Sequence, residues 1–219
     1  MKILPENTYL CGLVLAAILS ACLNSLFPLA EWYAVSPHGS DVALMGRFFV
    51  GFLMFPLLCA VLAVPISLLL LIPKRIRSYA LHLALIASAY SALGVASLWL
   101  SNHVRTHAFR ELAERSAPLV GEIRNFEAEH ARPPSQLEEL VPEYLPKIPT
   151  TGMGAYPEYK YFVGKEALQY HGNPWVLIVH TPTGILNWDK FMYFPNGRYP
   201  DVGYGGWLER IDSWAYVHE

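Results

Sequence analysis

His103, His107 and Glu111 recur at a spacing of four. On a helix that spacing stacks the three side chains on one face, and two imidazoles with a carboxylate form a donor set for Zn²⁺. Neither an HExxH sequence nor a second ligand cluster accompanies them. The same residues therefore also read as polar side chains facing headgroups and water. The sequence holds no Gly-x-Ser-x-Gly, no Walker loop and no dinucleotide fingerprint. Cys11, Cys22 and Cys59 all sit in apolar stretches, so residues 101–219 lack a thiol nucleophile and no disulfide framework is expected. Glu138 and Glu139 read as solvated helix carboxylates. No cofactor is expected.

The other feature with chemical weight is aromatic density between Tyr156 and Tyr216. Most of these rings must build the core of a small sheet. The stretch 199–207 reads as a loop by its glycines, and Tyr199, Tyr204 and Trp207 are its candidate binding residues, suited to protein or sugar contacts.

Three apolar runs precede this half of the chain, at residues 9–30, 48–72 and 79–100. Each reaches the roughly 20 residues that cross a hydrocarbon core. Residues 1–101 are thus expected to form a three-helix transmembrane domain, and residues 102–219 a separate domain. Residues 101–219 carry 11 basic and 15 acidic side chains. A net acidic domain is a poor match for nucleic acid, which needs a basic face.

Lys74, Arg75 and Arg77 link the second and third runs, whereas the first link holds Glu31 and Asp41 and no base before Arg47. The positive-inside rule then puts Lys2 and the 74–77 link in the cytoplasm and residues 102–219 outside, in the periplasm of a bacterium with the runs in its inner membrane. An alternative starts from Leu19-Ser20-Ala21-Cys22, which matches the box before the lipidated cysteine of bacterial lipoproteins and would make the first run a signal peptide. Small residues at a spacing of four mark Gly12, Ala16 and Ser20 in the first run and Ala84, Ser88 and Ala92 in the third, so these two helices are expected to pack. Pro56 and Pro65 should kink the second run. Arg47 and His82 lie near run ends, within reach of headgroups. Three helices without a buried charge pair read as an anchor, not a transporter.

Beyond residue 100, Phe109, Leu112, Leu119, Ile123 and Phe126 keep helical spacing, so the third helix should continue out of the membrane. Pro118 is expected to bend it and Pro133-Pro134 to end it. Ser135 with Glu138 fits a capping box. Short β-type runs follow at 159–163, 167–170, 175–181 and 191–194, separated by Gly, Pro and Asn; residues 207–217 are ambiguous. A long helix on a small antiparallel sheet is an α+β layout.

Residues 122–154 carry a helix ending near prolines, then Leu137, Leu140, Pro142, Tyr144, Leu145, Ile148, Pro149 and Gly152, before aromatic strands. This pattern resembles type IV pilin-like proteins, particularly type II secretion pseudopilins, over about residues 105–195. The resemblance implies a pilin-like fold whose long helix is continuous with a membrane helix. Asp189, Asn196 and Asp201 lack a ligand spacing that would carry a pseudopilin calcium site over. The expected function is a structural or interaction protein, anchored in the inner membrane, that presents this domain to a protein partner in envelope or secretion-type assembly. The alternatives are an immunity protein against a periplasm- or membrane-acting toxin and a membrane-tethered metal-dependent or cell-wall enzyme.

Overall fold

The computed structural model describes residues 6–184 and 187–219, with side chains from residue 11 onward. Lys2 lies outside the described residues. The helices are α1 (Glu6–Val35), α2 (Val42–Gly51), α3 (Met54–Leu69), α4 (Arg77–His130) and the single turn α5 (Lys165–Leu168). The strands are β1 (Lys160–Val163), β2 (Trp175–His180), β3 (Lys190–Tyr193), β4 (Val202–Gly203), β5 (Gly206–Ile211) and β6 (Trp214–His218). Among the described residues three stretches are long and apolar enough to cross a membrane: Cys11–Val35, Val42–Leu69 and a part of Arg77–His130. The chain divides into two compact units, one of Met1–Glu31 with Gly46–Val104, the other of Trp32–Met45 with Arg105–Glu219.

In the first unit the second apolar run is not one helix. It breaks between α2 and α3, at Phe52 and Leu53. Pro56 has no N–H to donate to the Phe52 carbonyl, which accepts from the Phe55 N–H at 3.1 Å instead, the tighter spacing of a 3₁₀ turn. Pro65 stays inside α3.

The face that α4 buries in this unit runs through Ala80, Ala84, Ala87, Ser91 and Gly94, while Ser88 and Ala92 are exposed. A strict spacing of four drifts about 40° per step around a helix of 3.6 residues per turn, so alternating steps of three and four hold one face. On α1 Ala16 and Ser20 are half-buried and Asn24 buried, and Gly12 is exposed. A Cβ at Gly94 would meet the Asn24 Oδ1 at 3.1 Å and run into the Leu57 side chain, so α1, α3 and α4 meet here. The absence of a side chain at 94 is what admits them.

One expectation fails outright in this unit. Arg47 does not sit free at a run end. It is 8% exposed and donates to the carboxylate of Glu31, itself 6% exposed. The bundle thus contains a buried charge pair.

In the second unit α4 presents Phe109, Leu112, Leu119 and Ile123, all fully buried. Each contributes about 1.5–3 kcal/mol of burial. The helix continues through Pro118 and ends at His130, where Ala131 takes a positive φ of 56° just before the proline pair. The strands form one antiparallel sheet in the order β1-β2-β3-β6-β5-β4. Its central strands β2 and β3 are apolar at nearly every position because both faces are covered. Phe109 of α4 stacks on Phe191 at 4.7 Å on one face. On the other, Val176, Ile178, Met192, Phe194 and Val217 pack with Phe162, Tyr170, Tyr199, Tyr204 and Leu208.

Residues 167–170 are not a strand. Gly164, at φ 62°, turns the chain, and Lys-Glu-Ala-Leu, all good helix formers, closes the turn α5. The capping box also differs: Leu137–Leu140 is a 3₁₀ turn, and the carboxylate that accepts from the Ser135 N–H is Glu139, at 3.0 Å, not Glu138. The ambiguous segment 207–217 resolves into the hairpin β5–β6. The loop between α1 and α2 belongs to this unit. The Gly154 N–H donates to the Ser36 carbonyl at 2.8 Å, and a Cβ on Gly154 would collide with the Gly39 backbone.

Candidate functional site

Arg105 enters the sheet unit one turn before Phe109 on the same helix face. It is 4% exposed. Its Nε donates to the Tyr216 Oη at 2.9 Å and its Nη2 to the Thr181 carbonyl. The Asp189 carboxylate lies 3.7 Å away. Asp189 also accepts from the Tyr216 hydroxyl and, at 2.8 Å, from the Glu219 N–H. The guanidinium lies 4.8 Å from the centre of the Phe109 ring and 5.0 Å from that of Tyr216. Burial opposes the charge on Arg105, yet Tyr216, Tyr156 and Asp189 together hold its pKa above the ordinary value. Burial is likewise the main cause that pushes the Tyr216 hydroxyl up, offset in part by Arg105. Arginine, tyrosine and aspartate thus form a network that ties α4 to one end of β2 and β3 and to the middle of β6. Arg105, Tyr216 and Asp189 engage one another, which fastens α4 to the sheet.

The candidate loop 199–207 is a hairpin. Val202 pairs with Trp207 and Gly203 with Gly206. The two residues between them, Tyr204 at φ 57° and Gly205 at φ 105°, have the positive φ values of a type I′ turn. Tyr199 and Tyr204 are half-buried and pack back onto the sheet. The Tyr199 hydroxyl accepts from the Phe194 N–H at 2.8 Å and donates to the Ser213 carbonyl at 2.7 Å, with its ring stacked on Phe194 at 4.6 Å. Tyr204 stacks on Tyr170 at 5.3 Å. Of the three, Trp207 is the exposed one, at 53%, with its ring 3.7 Å from that of His218. The His218 Nε2 is in turn 2.9 Å from the Glu209 carboxylate.

Among the described residues the three zinc candidates are not gathered into one group. His103 stacks on Trp99 at 5.5 Å. His107 and Glu111 form an exposed pair at 3.5 Å, and Glu111 also holds Arg115 at 3.2 Å. Among the described residues no group of three or more His, Cys, Asp or Glu side chains is placed to hold a metal ion. Cys22 is exposed on α1 as a free thiol. A shallow cleft of about 230 Å³ lies between Pro37 and the 150–157 loop, lined by Thr151, Met153 and Gly154 among others.

Sequence reasoning missed Arg105 and Asp189. The available signal was phase: residue 105 continues the 109, 112, 119, 123 stripe backward by one turn. In comparisons with known proteins, no family model, no curated protein and no solved structure matches this chain.

Proposed function

We propose that this chain is a membrane-anchored structural protein of the bacterial envelope. In this reading three apolar segments hold it in the inner membrane, and the α+β unit stands on the periplasmic side as an interaction module of pilin-like layout. The observation that carries the reading is the grouping of residues Trp32–Met45 with Arg105–Glu219. The first interhelical link and the sheet unit belong together, and the basic link Lys74, Arg75 and Arg77 belongs to the other unit. That is the partition expected of one acidic outer side and one basic cytoplasmic side. A long helix that leaves an apolar run and covers one face of an antiparallel sheet supports the pilin-like layout. The engaged Arg105 network and the scattered histidines favour a structural role over a metal enzyme.

The test is cysteine accessibility in intact spheroplasts, in a background lacking the three native cysteines. A membrane-impermeant maleimide should label Gly197→Cys before lysis and Lys74→Cys only after it. Labelling of position 74 in intact cells, with position 197 protected, would invert the topology.

A further inference from the structure

We propose that the outer edge of β1 is a docking site for an extended segment of a partner protein, which adds a strand to the sheet there and sets a carboxylate beside Lys160. This gives the interaction module of the reading above its surface, and it rests on that reading.

β1 and β4 are the two edges of the sheet. Two hydrogen bonds fix which way the backbone of β1 points. The Gly164 N–H donates to the Pro174 carbonyl at 3.1 Å. By the alternation of an antiparallel ladder, Phe162 and Lys160 then also bond across to β2. On the other side of β2 the Thr181 N–H donates to the Asp189 carbonyl at 2.8 Å. Val179 and Leu177 therefore bond to β3, which leaves Val176 and Ile178 for β1. The two sets agree, so Tyr161 and Val163 turn their N–H and C=O groups outward. Among the described residues no backbone group pairs with them.

The far edge is closed to such pairing. β4 is only two residues long, and Pro200 precedes it. The Leu208 N–H donates to the Asp201 carbonyl at 3.0 Å, so Arg210 holds the next outward position on β5. Its guanidinium folds back onto the Trp214 and Asp212 carbonyls at 3.2 and 3.1 Å. Short strands, prolines and charges are the usual guards of an edge. β1 has no proline and no bulge in its register with β2. Its one charge, Lys160, meets Glu158 at 3.3 Å in an exposed pair that contributes little and can exchange partners.

The edge itself selects the occupant. Donors and acceptors at alternate residues match the spacing of another extended backbone. Tyr161 and Val163 stand on the face toward α4, where the Tyr161 ring lies 6.3 Å from that of Trp175 and its hydroxyl donates to the Pro134 carbonyl at 2.9 Å. Beside them an incoming strand gains most from apolar residues. Lys160 and Phe162 stand on the opposite face. There His180 and Lys190 face each other across β2 and β3. Burial, then Lys190 and Lys160, hold the His180 pKa down against the pull of Glu219. The field at this corner is thus positive in spite of the neighbouring carboxylates, and it favours an acidic residue in the added strand.

The test is deuterium exchange at single amides of the full chain, at its native level in native membranes and again after detergent purification. The Tyr161 and Val163 amides should exchange at least roughly tenfold more slowly in the membranes than in the purified chain, with the Phe162 amide slow in both. Val163→Pro removes an outward N–H and leaves the ladder to β2 intact. It should melt close to the parent chain and lose the protection at Tyr161. Lys160→Glu should lose it too, because the carboxylate of the added strand would meet a like charge. Fast exchange at both residues in both preparations overturns the proposal. Slow exchange in both, whether a second copy or this chain itself covers the edge, also overturns it. Protection that survives Val163→Pro overturns the edge pairing, and protection that survives Lys160→Glu overturns the carboxylate. The anchor reading fails separately, through labelling of Lys74→Cys in intact spheroplasts.

Discussion

The Arg105 guanidinium and the Asp189 carboxylate face each other at 3.7 Å, both buried, although they lie far apart along the chain. Removing one member leaves the other charged without compensation in a dry site, which costs about 3–5 kcal/mol. Arg105→Met should therefore destabilise the sheet unit by that order. Arg105→Lys should rescue only part of it, because an ammonium cannot serve Tyr216 and Thr181 together as the planar fork does. The double variant Arg105→Met/Asp189→Asn should lose clearly less than the sum of the single losses in chemical denaturation. Strict additivity would show that the two groups do not depend on each other.

Gly154 and Gly39 bring two loops into backbone contact, with no room for a Cβ between them. Gly154→Ala should push residues 36–41 away and break the hydrogen bond from the Gly154 N–H to Ser36. The expected cost is about 1–3 kcal/mol, seen as faster amide exchange confined to the 36–41 and 150–155 loops. Gly121→Ala is the control. It lies in α4 with no atom within 4 Å of an added Cβ, and it should stabilise by about 0.5–1 kcal/mol. Unchanged exchange at 36–41 in the Gly154 variant would rule out the contact.

His180 gives the fold a pH dependence. Partial burial, then Lys190 and Lys160, hold its pKa below the ordinary 6.5, opposed weakly by Glu219. The folded state thus binds its proton less readily than the unfolded chain does. The stability linked to His180 is fully present above 6.5 and declines as pH falls from there through the lower folded value. The melting temperature should drop on acidification through this window, and His180→Gln should flatten that part of the curve. An identical slope in the variant would assign the dependence to other groups.

The two halves of the structure differed in how far residues announced them. Long apolar runs and the 109–126 stripe need only local pattern, and β2 and β3 stood out because both of their faces are covered. The strand expected at 167–170 is four residues close to a turn glycine, too short to outweigh helix-forming Lys-Glu-Ala-Leu. Glycines at 203, 205 and 206 correctly marked a turn. They could not show that positive φ at Tyr204 folds its ring back onto Tyr170. The charge pairs were hidden for a different reason: Glu31 and Arg47 are joined across a loop, and Arg105 finds Thr181 and Tyr216 far along the chain. Sequence spacing carries no record of such pairs.

The buried pair of Glu31 and Arg47 is the sharpest departure from a plain apolar anchor. Glu31 lies on the last turns of α1 and Arg47 in the middle of α2, so their bond closes the ends of two consecutive helices over the short link between them. In a medium poor in water an unpaired member is more costly than the pair is favourable. Glu31→Gln and Arg47→Met should each lower the thermal stability of the detergent-purified protein by the equivalent of about 3–5 kcal/mol. The exchanged pair Glu31→Arg/Arg47→Glu restores opposite charges at the same two positions and should recover part of that loss. If the exchanged pair is no more stable than the worse single variant, the attraction between the two charges is not what joins α1 to α2, and the packing of Ala34, Val35 and Ala43, all buried around the link, must carry it instead.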